Sequence, residues 1–166
     1  MSASLSQATK PVTYLLVAGA EVDGPTRAAA RWIRHVAEGR PDVRVVILHR
    51  RPSTAAVTGP GSAWPAVDVP LGVLEQNTAE RVRRELLPEL GVDPARVESI
   101  LGGEGRLDEE VEWALLAAGP VDAVVVGEPT RGTGWRWRRA LARVVHTVPV
   151  VTVAEEAVAT PLPQAG

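Results

Sequence analysis

The stretch with the most chemical suggestion is Arg131-Gly-Thr-Gly134, followed by Trp135-Arg-Trp-Arg-Arg139. Two glycines, a hydroxyl and the start of a helix are the parts from which an anion cradle is made. Backbone N–H groups can approach closely where no Cβ intervenes, and the helix dipole favours negative charge. Arg131, Gly132, Thr133 and Gly134 are therefore candidate ligands for a small anion, with Arg131 or Arg136 closing over it. The plainer reading is a loop feeding a solvated basic helix, in which Trp137, Leu141, Val144 and Val145 form a packing stripe. His49, beside Arg50 and Arg51, is a second candidate, although no carboxylate is near it in sequence to orient the ring. Gly102-Gly-Glu-Gly105 would let a ribose or base approach the backbone at Gly103, or would make a tight strand-to-helix turn that needs positive φ. Asp108, Glu109, Glu110 and Glu112 crowd one helix start, where negative charge already complements the dipole.

Other chemistries are excluded more directly. The chain has no cysteine, so thiolate metal sites, thiol nucleophiles and disulfides are absent. No pair among its three histidines has metal-ligand spacing, and no Walker loop, Gly-x-Ser-x-Gly elbow or Gly-x-Gly-x-x-Gly follows the first strand. No catalytic residue is assigned. A net charge of −2 gives no field that would recruit nucleic acid or anionic lipid. Lys10 is the only lysine, so arginine clusters carry less weight here than they would elsewhere. The start of the chain lacks the basic-then-apolar pattern of a secretory signal, and no run has the length of a membrane helix, so a cytoplasmic location is expected.

The elements that must position these groups follow from hydrophobic periodicity. Residues 1–11 read as a disordered lead-in, 12–154 as one domain and 155–166 as a flexible tail. Val12–Ala18 is a continuous apolar run, as a central strand covered on both faces requires. Asp23 or Gly24 caps a helix with Pro25 in its first turn and an apolar stripe at Ala29, Trp32, Ile33, Val36 and Ala37. Strands are expected at Val43–Leu48, Val97–Leu101, Val121–Gly127 and Val148–Val153. Helices are expected at Thr78–Leu90, with Pro88 disturbing the last turn, at Asp108–Ala118 and at Trp135–His146. Residues 51–70, rich in proline and glycine, read as a long loop.

This alternation implies an α/β fold, an open, doubly wound, five-stranded parallel sheet with helices on both faces, and the strand order expected for it is 3-2-1-4-5. Ligands in such sheets bind beyond the carboxyl ends of the strands where the winding reverses. That rule selects the loops at 18–24, hence Ala18, Gly19 and Asp23, and at 127–134, beginning with Gly127.

The chain resembles the universal stress protein family over 12–154. The resemblance rests on Leu15-Leu-Val-Ala18, Arg27-Ala-Ala-Ala-Arg-Trp32, Val46-Ile-Leu-His49, Val121-Asp-Ala-Val-Val-Val-Gly127 and Val148-Pro-Val-Val151. It implies ATP or another adenine nucleotide as cofactor, with the chain near His49 lying close to the adenine. It also implies a homodimer paired through Val148–Val153. Nucleotide-binding members carry an aspartate soon after the first strand, where an ungapped comparison places Ala20. They also carry a Gly-x2-Gly-x9-Gly-(Ser/Thr) motif after the fourth strand. Here Gly127 is kept, while Thr130, Ala140 and Leu141 stand at the other three positions. Tight ATP binding is accordingly not expected. Three readings stay open: a non-enzymatic regulatory or stress-response protein with a degenerate pocket, an anion binder using Arg131–Gly134, and a small-molecule enzyme using His49 or the acidic helix.

Overall fold

The computed structural model describes residues 10–51, 71–103, 105–128, 134–144 and 146–155. The expected loop at 51–70, save Arg51, and the turn residues Arg131, Gly132 and Thr133 lie outside the described residues.

Five strands form one parallel sheet: β1 Val12–Ala18, β2 Val43–His49, β3 Val97–Leu101, β4 Ala123–Gly127 and β5 Val150–Val153. Their order is β3-β2-β1-β4-β5, the order expected. The helices are α1 Gly24–Ala37, α2 Leu71–Leu90, α3 Leu107–Ala118 and α4 Gly134–Val144, with one 3-10 turn at Pro94–Arg96.

The central strands are apolar on both sides because each side is covered. Leu16 and Ala18 of β1, with Val43, Val45 and Ile47 of β2, join a core closed by Ala29 and Ile33 of α1 and by Val82, Leu86 and Leu90 of α2. The alternate residues Leu15, Val17, Val46 and Leu48 face the opposite layer, closed by Val111 and Ala114 of α3 and by Leu141 and Val144 of α4. A one-residue slip of register would exchange these two sets, so the double burial pins β1 against β2 from Val12↔Val43 to Ala18↔His49. Tyr14 and Trp32 pack edge to face with ring centroids 6.0 Å apart, filling the first layer near its rim.

α4 ends at Val144, short of the expected His146, and three further boundaries differ from the sequence reading for a local reason. β4 starts at Ala123 because the Asp122 carboxylate accepts the Thr13 N–H at 2.8 Å, taking a bond that a strand residue would make through its backbone. β5 starts at Val150, so Val148 and Pro149 of the expected strand Val148–Val153 fall outside the observed one. Thr147 and Val148 donate their N–H groups back to Val144, and Pro149 has none to give. α2 begins a full turn and more before Thr78. Its early residues, Val73 and Leu74 among them, are exposed and leave no buried stripe to read. The helix continues through Pro88 to Leu90, and Gly91, at φ +58°, turns the chain away.

Candidate functional site

The carboxyl ends of β1, β2, β3 and β4 form the crest of the sheet, where a ligand of a doubly wound fold would sit. Backbone bonds lace this crest together. Arg50 N–H donates to Ala18 O at 2.8 Å, Gly102 N–H to His49 O at 2.8 Å, and Glu128 N–H to Val153 O at 2.7 Å. Ala18 is buried at the end of β1, in register with His49.

After β1 the chain passes through Gly19 to Val22 before entering α1. Gly19 is exposed, and a Cβ there would meet nothing closer than Glu21 O at 3.8 Å, so no close approach calls for glycine. Ala20, at the position of the family aspartate, has its carbonyl engaged by Arg81 Nη2 of α2 at 3.0 Å. Asp23 is the N-cap of α1, with its Oδ1 accepting the Thr26 N–H at 2.8 Å. That bond satisfies one of the open donors of the first turn. The Glu155 carboxylate, just beyond β5, lies against Gly24 at the same helix end, in the space a Cβ on Gly24 would need.

Gly127 closes β4 against Pro25. A Cβ on Gly127 would penetrate the carbonyl carbon and oxygen of Pro25 and stand 2.7 Å from its Cβ. Glycine here is therefore required by the contact between strand and helix. Glu128, next in the chain, is ion-paired with Arg138 of α4. Gly134 is the first residue of α4. Of the proposed anion cradle it alone is described, and the side chains of Trp135 and Trp137 likewise lie outside the described residues.

His49 ends β2 with its ring 5 % exposed. Its Nε2 stands 2.9 Å from Ser99 Oγ of β3, while Nδ1 is buried without a hydrogen-bond partner. Burial disfavours the charged ring and pushes its pKa down to about 4, so the imidazole is neutral at pH 7. In a neutral ring one nitrogen must carry the proton. Leaving a bare acceptor at Nδ1 costs less than burying an unpaired donor, so the arrangement favours Nε2–H donating to Ser99. A ring in that state holds β2 to β3 and is poorly placed to take a proton from Ser99.

Beside it, Arg50 Nε meets Glu110 Oε2 at 2.7 Å, with Glu110 only 5 % exposed. Asp108, equally buried, accepts from Arg106 at 3.1 Å and from Arg143 of α4 at 3.2 Å. Burial raises the pKa of Asp108, but its own backbone N–H and the two guanidinium groups outweigh that and hold it below the usual aspartate value. The acidic start of α3 is thus partly a buried ion-pair network, beyond the dipole role its sequence suggests. Gly103 is exposed with room for a side chain, whereas Gly102 is buried and a Cβ there would lie 2.9 Å from His49 O. None of Gly102, Gly103 and Gly105 has the positive φ expected of this turn; Gly102 is the glycine it demands, through close backbone approach that spacing alone does not show. Among the described residues no cluster of three or more His, Cys, Asp or Glu could hold a metal ion.

These features define a doubly wound α/β domain whose crest is tied up by its own backbone, carboxylates and arginines. No family model and no curated protein matches the sequence. Solved structures do. Universal stress protein UspA from Lactobacillus plantarum superposes with a TM-score of 0.52 at 13 % identity, covering 87 % of this chain and 97 % of that one. A universal stress protein from Archaeoglobus fulgidus gives 0.49 at 14 % identity, covering 89 % and 96 %. A universal stress protein from Archaeoglobus fulgidus in complex with dAMP gives 0.49 at 17 % identity, covering 87 % and 97 %. The fold of this chain is that of the universal stress proteins. No described helix is long and apolar enough to cross a membrane.

Proposed function

We propose that this chain is a universal-stress-protein-like regulatory protein without enzymatic activity, whose nucleotide pocket is degenerate and does not hold ATP tightly. The observation that carries the reading is that groups an incoming phosphate would use are engaged by the chain itself. The α1 N-terminus has the Asp23 cap and the Glu155 carboxylate upon it, Arg138 is paired with Glu128, and Pro25 fills the space above Gly127. A phosphate entering there would have to displace carboxylates already in favourable positions. Thr130, Ala140 and Leu141 at the motif positions point the same way.

The protein acts as a homodimer through β5 in this reading. β5 is an edge strand, and an apolar edge strand is covered most simply by its copy across a two-fold axis. Mass spectrometry and the ultraviolet absorbance ratio of freshly purified protein test the pocket. Protein free of nucleotide agrees with the proposal, and stoichiometric adenine nucleotide carried through purification overturns it.

A further inference from the structure

Two motifs, the acidic helix and the basic helix, lie side by side as α3 and α4 in the layer covering the second sheet face. The outward side of α3 carries Glu109, Glu112, Trp113, Leu116 and Ala117. Leu116 is 85 % exposed and Trp113, one turn earlier, is 49 % exposed. Large apolar side chains stacked at this spacing on a helix surface mark a contact face, and tryptophan is a frequent anchor in such faces. The outward side of α4 carries Arg139, Ala142 and Arg143. Glu112 and Arg139 are each exposed, and neither belongs to any ion pair among the described residues.

We propose that this α3–α4 face is an interface with a second copy of the chain, in which α3 of one protomer lies across α4 of the other. The occupant follows from self-complementarity. One surface carries an acidic, apolar helix directly beside a basic one, and a two-fold axis places each against its complement twice. Glu112 then meets Arg139 of the partner subunit, and Leu116 with Trp113 packs over the small Ala142 of the partner subunit. A foreign partner would need to reproduce the same alternation of charge. The contact uses the outward sides of two helices and not the backbone edge of β5, so it is distinct from the edge pairing proposed above and gives a dimer of dimers when both form.

The test is sedimentation velocity of the full chain over a concentration series, with circular dichroism confirming that each variant is folded. Leu116→Glu and Glu112→Arg, both at exposed positions, are each expected to weaken this association by roughly tenfold or more. The double variant Glu112→Arg/Arg139→Glu restores opposite charges across the two-fold and is expected to return to within about threefold of the native protein. If Leu116→Glu and Glu112→Arg assemble as the native chain does, the interface is overturned while the β5 dimer stands. A native chain that stays monomeric at every concentration overturns both.

Discussion

Pro25 and Gly127 meet at the point where the winding of the sheet reverses, the first turn of α1 resting directly on the last residue of β4. In the nucleotide-binding motif a glycine at this position is read as room for phosphate. Here the same glycine makes room for a proline. Gly127→Ala should therefore destabilise the fold by about 1–3 kcal/mol through overpacking, a fall of roughly 2–4 °C in Tm for each kcal/mol. Differential scanning calorimetry reads the change. An unaltered Tm would mean that the space above Gly127 is open.

Asp23 divides the structural and ligand roles cleanly. As an N-cap its loss should cost about 1 kcal/mol, and Asp23→Asn, which can still accept the Thr26 N–H, should recover most of it. Urea unfolding of both variants measures this. Equal stability of Asp23→Ala and the native chain would remove the cap role and return Asp23 to the candidate ligands.

His49 sets a pH dependence whose direction follows from its burial. The folded ring titrates at about 4, below the ordinary value of 6.5, so between those two values the unfolded chain binds the proton and the folded one does not. Stability from this group is complete above pH 6.5 and is lost as pH falls toward 4, by at most about 3 kcal/mol. Native protein and His49→Asn compared by urea unfolding from pH 7.5 down to pH 4.5 should converge as the pH falls. Parallel curves would show that the ring is solvated.

Arg50 neutralises a carboxylate that has almost no access to water. Arg50→Ala leaves Glu110 buried without its cation and should cost roughly 3 kcal/mol. Glu110→Gln should cost less, because Arg50 is 36 % exposed and can turn to solvent. Chemical unfolding of both variants beside the native chain checks this.

The sheet could be read from the chain because its signal is local. Leu15–Ala18 and Val45–Leu48 are apolar without interruption, and the stripes of α1 and α3 repeat every turn, so the alternation of elements and the fold class follow from runs a few residues long. Ends were harder, since they depend on single bonds such as Asp122 to Thr13. The crest was legible only as a set of loops. His49 and Ser99 are 50 residues apart, Arg50 and Glu110 60, and Asp108 and Arg143 35, so register, and no spacing, brings them together. Gly102 rather than Gly103 meets His49 O for the same reason: strand register alone decides which of two adjacent glycines is crowded.

The pocket itself is tested most directly by isothermal titration of the full chain with ATP, with AMP and inorganic phosphate as controls. With Glu155, Asp23 and Pro25 standing over the switch point, no saturable heat is expected at micromolar protein and ATP. One ATP bound per chain with a micromolar Kd would contradict a degenerate pocket, and would show that the carboxylates at α1 yield to phosphate.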